Sequence, residues 1–100
     1  MLVLYVLITY DVSTETESGK KRLRKVAKIC TNYGQRVQNS VFECLLTPAQ
    51  FVQIKSELSN VIDHKKDSLR FYLLGKNWQR RVETMGKNET YDPERDVFLV

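Results

Sequence analysis

The chain has 100 residues, which is the length of a single domain. Its 16 Lys and Arg residues outnumber its 12 Asp and Glu residues, which gives a net charge of +4. Hydrophobic residues make up 42% and charged residues 28%, a globular balance that excludes a disordered or low-complexity chain. The positive charge fits a polyanionic partner but does not require one. The two cysteines, Cys30 and Cys44, form no closely spaced metal-binding motif, so we interpret them as buried thiols in a reducing compartment.

The chain opens with an apolar run from Leu2 to Tyr10, which predicts a strand buried on both faces at the centre of a sheet. The run lacks the basic leader and the cleavage site of a secretory signal, and it is too short to cross a bilayer. We therefore expect a cytoplasmic protein that makes no membrane contact. The strand ends at Asp11, and polar residues 13–19 predict a loop.

Residues 20–32 predict the first helix, because their apolar side chains recur at the spacing of one helical face. Gly34 stands where a glycine commonly ends a helix. Residues 35–46 then predict extended chain. Within it, the Gln38-Asn39 pair indicates either a hairpin turn between two strands or a bulge.

A second helix is predicted from Thr47-Pro48, where a capping hydroxyl precedes a proline at the first helical position, to about Ile62. A charged loop follows, and residues 69–74 alternate as a strand. The apolar side of that strand consists of Leu69, Phe71 and Leu73.

The order strand, helix, strand, strand, helix, strand predicts an α+β fold of the ferredoxin-like type, with two helices on one face of an antiparallel sheet. We expect residues 1–100 to form this one domain. Residues 77–85 predict a further short extended piece. The apolar ending at residues 97–100 would be costly to leave in water, so we expect an extra C-terminal strand that pairs with another strand.

The polar face of the first helix is cationic, with no acid between Lys20 and Tyr33. Like charges at helical spacing oppose helix formation, so this pattern favours an anionic partner. The alternative is a solvated face that acids elsewhere in the fold balance. The nucleic-acid contacts predicted on this helix are Lys20, Lys21, Arg22, Arg24, Lys25 and Lys28.

A second cationic cluster follows the last predicted strand. Residues 77–81 combine Trp78 and two amides with Arg80 and Arg81. These groups suit backbone phosphates or unstacked bases, and we include both arginines among the nucleic-acid contacts. The alternative is a solvated loop that the tryptophan anchors.

Asp11 is the most specific candidate for a functional residue, because a carboxylate at the end of a buried strand is costly unless something compensates its charge. It either caps the loop that begins at Ser13, by accepting backbone N–H groups, or serves as a metal ligand. Mg²⁺ is held by one or two carboxylates with waters and phosphate oxygens, so a homodimer with two copies of Asp11 would suit it. No other catalytic motif appears, and we assign no role to the single histidine, His64.

Residues 7–12, LITYDV, resemble the opening strand of the CRISPR-associated protein two family, the small partner of the CRISPR integrase. Residues 34–43, GQRVQNSVFE, resemble the second signature of that family. The basic helix between them and residues 68–72 also fit, so the resemblance covers nearly the whole chain. The segment before Asp11 is longer than is usual in the family, which bears on the length of the first strand.

The resemblance implies a homodimer in which the C-terminal tail, about residues 77–100, packs on the partner protomer. Asp11 from each protomer would hold Mg²⁺ or another divalent cation. Family members are described as metal-dependent endonucleases on DNA or RNA that serve spacer acquisition in antiviral defence. The expected partners are a second copy of the chain, the CRISPR integrase subunit, duplex DNA and single-stranded RNA. Supporting positions near the aspartate are Tyr10, Ser40 and Phe42, and Arg36 is a further expected nucleic-acid contact.

Two functions remain open at this point. The first is a metal-dependent phosphodiesterase that depends on Asp11. The second is a non-catalytic dimer that bridges the integrase and holds duplex spacer DNA, which the single carboxylate per chain favours. Cleavage that is lost with Asp11 supports the enzyme, whereas DNA binding and spacer acquisition that survive its loss support the bridge.

Overall fold

The computed structural model describes residues 2–75, 83, 85 and 86. These residues form six elements, namely β1 (Leu4–Asp11), α1 (Glu17–Tyr33), β2 (Gly34–Gln38), β3 (Val41–Leu46), α2 (Pro48–Val61) and β4 (Ser68–Leu73). The sheet order is β2-β3-β1-β4 and every neighbouring pair is antiparallel. The predicted ferredoxin-like α+β fold is confirmed. The pieces predicted at 77–85 and 97–100 lie outside the described residues, apart from positions 83 and 85.

β1 occupies the interior of the sheet, where Val6 is paired with Cys44 of β3 on one side and with Leu73 of β4 on the other. Its apolar run therefore satisfies backbone hydrogen bonds on both edges. Successive side chains of a strand point to opposite faces, so Val6, Ile8 and Tyr10 face the helices. Tyr5 and Asp11 lie on the opposite face, which we call the open face. The predicted central position is confirmed, but the strand runs from Leu4 to Asp11 and not from Leu2 to Tyr10. The predicted burial on both faces is incomplete, because Leu7 and Thr9 on the open face are only partly buried.

Both helices pack on the same face of the sheet, and the main core lies between these layers. The sheet contributes Val6, Ile8, Phe42, Cys44 and Leu46, and the helices contribute Val26, Cys30, Ile54 and Leu58, all with no exposed surface. Burial raises the pKa of both cysteine thiols to about 12. They are consequently protonated and unreactive at neutral pH, as expected of buried structural thiols.

The first helix begins three residues earlier than predicted. The side chain of Thr16 accepts a hydrogen bond from the backbone N–H of Gly19 at 3.0 Å, and this cap starts the helix at Glu17. Gly19 is needed there, because an added Cβ would lie closer than 3.0 Å to the carbonyl oxygen of Ser13. The chain that follows β1 therefore passes close to the first turn of α1 at Gly19. The sequence did not predict this first turn as helix, because its polar residues and its glycine have low helix propensity.

α2 begins at Pro48 as predicted, and Thr47 and Gln50 form a reciprocal capping box. Between β2 and β3 the structure shows both features that the Gln38-Asn39 pair had left open. Asn39 and Ser40 form the turn, and the register shifts between Arg36 and Gln38.

The apolar side predicted for the last strand is only partly buried. Leu69 and Phe71 pack against the core, whereas Leu73 is 57% exposed. The sequence pattern was correct about the shared face, since these residues pair with alternate positions of β1. Leu73 is exposed because β4 lies at the edge of the described sheet, where no described element covers its far end.

Gly34 ends α1 in a different way from the one predicted. Its N–H bonds to the carbonyl oxygen of Cys30, but its φ of −161° is ordinary extended backbone, because the chain passes directly into β2. Glycine is required here by space. An added Cβ would lie closer than 3.0 Å to the sulfur of Cys44 and to the carbonyl oxygen of Glu43.

Gly34→Ala is therefore expected to lower the free energy of unfolding by about 1–3 kcal/mol, the usual cost of forcing an extra methyl into a packed core. Urea unfolding at a fixed protein concentration measures this change. Asn32→Ala, an exposed change in the same helix, is the control and should shift stability by less than about 0.5 kcal/mol. A Gly34→Ala protein as stable as the wild type would show that β2 and β3 separate without cost at this point.

Candidate functional site

Asp11 is the last residue of β1, and its exposed side chain lies on the open face opposite Ser68. The loop-capping role considered for it belongs to another residue, because the N–H of Ser13 donates to Asp67 Oδ1 at 3.0 Å. Within the part of the chain that the structure describes, the Asp11 carboxylate has no hydrogen bond or ion pair. An exposed carboxylate without an internal partner is available to a ligand.

Asp67 is the buried acid that organises this end of the sheet, and its side chain has no exposed surface. It accepts hydrogen bonds from the N–H of Ser13 at 3.0 Å, from the N–H of Asp63 at 2.9 Å and from Arg22 Nε at 2.8 Å. Burial raises the pKa of Asp67, but Arg22 and the two backbone donors outweigh it and hold that pKa below 3.8. The network joins the end of β1 to the start of β4, on both sides of Asp11.

Sequence reasoning missed Asp67, because nothing distinguishes it from the other charged residues of the predicted loop. The available signal was its place directly before a strand. Its burial depends on the approach of Arg22 and Ser13, which are 45 and 54 residues distant in sequence.

A shallow cleft surrounds Asp11 on the open face. Ser40, Ser68, Arg70 and Tyr72 line it together with Asp11. Ser40 had been predicted near the aspartate, and its carbonyl oxygen accepts the N–H of Tyr10 at 3.1 Å. Arg70 and Tyr72 had not been singled out, because their position depends on the register between β1 and β4, which the sequence does not reveal.

Three residues expected near the aspartate form a cluster on the helix side of the sheet. The rings of Tyr10 and Phe42 stack with centroids 6.1 Å apart, and the guanidinium of Arg36 lies 5.2 Å from the Phe42 centroid. The Tyr10 hydroxyl donates to the carbonyl oxygen of Asn39 at 3.2 Å. Burial raises the Tyr10 pKa, against the effect of Arg36. Neighbouring strand residues point to opposite faces, so the rings of this cluster lie on the helix side of the sheet. Of the three residues, Tyr10 also lines the cleft that contains Asp11.

The cationic face of α1 is partly balanced by acids. Lys20 pairs with Glu17 at 3.3 Å, and Arg22 is held by the buried Asp67. The helix starts early enough to include Glu17, which the predicted boundary had excluded. Four cations of α1 are exposed and have no ion pair within the described residues, namely Lys21, Arg24, Lys25 and Lys28. These four are the ones best placed to contact an anionic partner.

Each chain offers a hard cation a single carboxylate at this place, that of Asp11, and the described residues contain no group of three or more His, Cys, Asp or Glu that could hold a metal ion. A Mg²⁺ site that uses one or two carboxylates, waters and phosphate oxygens fits Asp11 once a second copy contributes its own. His64 lies elsewhere, with Nε2 2.9 Å from the carbonyl oxygen of Ser59 at the end of α2. Arg80 and Arg81 fall outside the described residues.

The family model described as CRISPR associated protein Cas2 matches residues 4–82. This chain belongs to the Cas2 family. The CRISPR-associated endoribonuclease Cas2 of Chlorobaculum tepidum is 58% identical over 96 residues, which cover 96% of this chain and 100% of that protein. The CRISPR-associated endonuclease Cas2 of Halalkalibacterium halodurans is 56% identical over 96 residues, which cover 96% of this chain and 100% of that protein.

A solved structure agrees with this membership. The crystal structure of Streptococcus pyogenes Cas2 matches with a TM-score of 0.74 and 72% sequence identity, covering 82% of this chain and 99% of that one. The family resemblance stated from the sequence is confirmed, and the names of the relatives agree with the predicted nuclease class. Among the described residues, neither helix is long and apolar enough to span a bilayer.

Proposed function

We propose that this Cas2 protein is a homodimeric, metal-dependent endonuclease that hydrolyses phosphodiester bonds of DNA or RNA during CRISPR spacer acquisition in the cytoplasm. The observation that carries the proposal is the exposed Asp11 carboxylate at the open end of β1. It has no internal partner among the described residues, and the loop beside it is secured by Asp67. The relatives named endonuclease and endoribonuclease support the same reaction class.

Hydrolysis adds the oxygen of a water to phosphorus as the bond to the leaving oxygen breaks, and the leaving oxygen takes up a proton. A bound divalent cation would polarise the phosphate and acidify a water. Asp11 from each protomer would hold that cation, with the Ser68 hydroxyl as a neighbour on the adjacent strand. The unpaired lysines of α1 would hold the nucleic acid by its phosphates.

Dimerisation is part of the proposal, because one chain offers one carboxylate. The open face supports it with partly buried apolar residues along its length, namely Val41 opposite Thr9, Leu7, and Leu45 opposite Tyr5. A second copy seated on this face would cover them and bring two Asp11 side chains near one another. Sedimentation equilibrium at micromolar concentration should report twice the chain mass. A monomer that cleaves nucleic acid with undiminished activity would contradict the shared site.

The second candidate is a non-catalytic dimer that bridges the CRISPR integrase and holds duplex spacer DNA. The four unpaired cations on α1 favour it, since phosphate binding needs little more than clustered positive charge. Assays with duplex DNA and single-stranded RNA, each with Mg²⁺ or with a chelator, decide between the candidates. The nuclease requires cleavage that depends on Mg²⁺ and Asp11. The bridge requires DNA binding and spacer acquisition that survive without Asp11.

The triple change of Lys21, Lys25 and Lys28 to Gln is expected to weaken binding about equally for duplexes of unrelated sequence, because phosphate contacts carry no base information. The dependence of log K on log salt should flatten by up to about 0.9 for each lost contact. Fluorescence anisotropy between about 50 and 200 mM salt measures this slope. Lys20→Gln is the matched control with a smaller effect, since Glu17 already pairs with Lys20. An unchanged slope in the triple variant would show that these lysines are only solvated.

A further inference from the structure

Among the residues that the structure describes, Arg70 is the cation nearest in register to Asp11 on the open face. It lies on β4 opposite Thr9, and the next pair on that face joins Asp11 to Ser68. Diagonal neighbours in an antiparallel pair are about 7–8 Å apart, within reach of a long side chain. Arg70 and Asp11 also line the same cleft. A group bound between them would therefore contact both side chains.

Two observations show that the guanidinium of Arg70 is positioned but not neutralised. Its NH1 donates to the Tyr72 hydroxyl at 3.4 Å, which holds the side chain along β4. No acid lies within ion-pair distance of it among the described residues, although Asp11 is a neighbour on the same face. A guanidinium is not deprotonated in proteins, so the charge persists at every relevant pH. Most donors of the guanidinium remain available.

A cation and a carboxylate that share a cleft without pairing leave room for a group that both can bind. A phosphodiester meets this requirement, because its oxygens accept hydrogen bonds from a guanidinium and coordinate a cation held by a carboxylate. The planar fork of arginine matches two phosphate oxygens, which a lysine ammonium cannot reproduce. We infer that Arg70 binds the scissile phosphate beside Asp11, with Tyr72 orienting its guanidinium. This inference rests on the proposed nuclease function and names the residue that meets the substrate.

The first test is steady-state cleavage of labelled duplex DNA and single-stranded RNA with Mg²⁺. Arg70→Gln is expected to lower kcat by about a hundredfold, the usual loss when one preorganised donor is removed from a developing charge. Arg70→Lys should recover part of that loss, because it restores charge without the fork. Tyr72→Phe should give a smaller loss that appears mainly in kcat. Lys65→Gln, an exposed loop cation, is the charge-matched control and should retain wild-type rates.

The second test does not need cleavage. The Arg70 Nε–H resonance of ¹⁵N-labelled wild-type protein is followed while thymidylyl-thymidine is added, with Ca²⁺ in place of Mg²⁺. Through-bond correlations in ¹³C,¹⁵N-labelled wild-type protein assign the resonance to Arg70 without a substitution. A saturable shift of this resonance is expected in the wild type. Because this measurement uses the native side chain, it stands even where a substitution impairs folding.

The outcomes separate the inference from the function on which it rests. Wild-type protein that does not cleave with Mg²⁺ overturns the nuclease proposal. The resonance shift alone then decides whether Arg70 binds the phosphodiester. Where the wild type is active, Arg70→Gln protein with rates within threefold of wild type overturns the inference. An Arg70 resonance that does not respond to the dinucleotide overturns it as well.

Discussion

Asp11→Asn protein is expected to lose more than about a hundredfold in Mg²⁺-dependent cleavage while it still forms dimers and binds duplex DNA. The amide keeps the shape of the carboxylate but removes its charge, and a hard cation prefers charged oxygen ligands. Folding should be unaffected, because the exposed Asp11 side chain makes no hydrogen bond or ion pair within the residues that the structure describes.

Cleavage time courses and sedimentation of the same preparations measure these expectations. Glu15→Gln is the matched control, because Glu15 is an exposed acid in the loop after β1 to which no role is assigned. Its cleavage rate should equal that of the wild type. If Asp11→Asn protein free of contaminating nuclease cuts at the wild-type rate, Asp11 is not the metal ligand.

Asp67→Asn is expected to lower the free energy of unfolding by about 3 kcal/mol, the lower end of the cost of breaking a buried ion pair. The lower end applies because the ion pair is not fully buried. The Arg22 side chain is 15% exposed, whereas the Asp67 side chain has no exposed surface. An amide has one acceptor oxygen in place of the two that serve Ser13 and Asp63. For a domain of this size, such a loss lowers the melting temperature by more than about 10 °C.

The effect of Asp67→Asn should depend on pH in the acid range. The pKa of Asp67 lies below 3.8 in the folded state, so its ionised form stabilises the fold above that pH. This contribution is lost as the pH falls from about 3.8 through the lower folded-state pKa. Asp67→Asn protein lacks the contribution at every pH, so the gap in stability from wild type should be largest near neutrality and should shrink below about pH 4.

Urea unfolding at fixed protein concentration, repeated across this pH range, measures the gap. Glu17→Gln is the control, because it removes the acid of an exposed pair with Lys20 and should cost less than about 1 kcal/mol. A double-mutant cycle with Arg22→Gln isolates the coupling of the buried pair. A difference in stability that stays constant from neutral to strongly acidic pH would mean that Asp67 acts through its shape and not through its charge.

Much of the fold was accessible from local pattern. The apolar run that became β1 predicted a central strand because a strand with neighbours on both edges carries few polar side chains. Thr47 and Pro48 predicted the start of α2 because capping is a contact between residues close in sequence. The start of α1 was placed three residues too late, since the cap at Thr16 depends on a turn that contains Gly19. The exposure of Leu73 could not be predicted either, because it depends on which strand forms the edge.

The candidate site divides in the same way. Asp11 could be found in the sequence, because a carboxylate that directly follows a long apolar run is unusual whatever the fold. The sequence could not show that Asp11 does not cap the loop. That depends on Asp67, 54 residues away in sequence, which accepts the hydrogen bond from the N–H of Ser13. The cationic face of α1 was visible as a charge pattern. The structure was needed to show which of these cations already form ion pairs, namely Lys20 with Glu17 and Arg22 with Asp67.

The sequence by itself determined the element order, the family and the identity of Asp11, because short-range periodicity, capping and motif residues are properties of neighbouring positions. Only the tertiary structure decided which side chains surround Asp11. Strand register brings Ser68 and Arg70 beside it on the open face, and the pleat of the sheet turns Tyr10 and Phe42 away. Register is a relation between distant segments. A shift of a single residue would exchange the two faces, and that choice is made by the packing of the whole core.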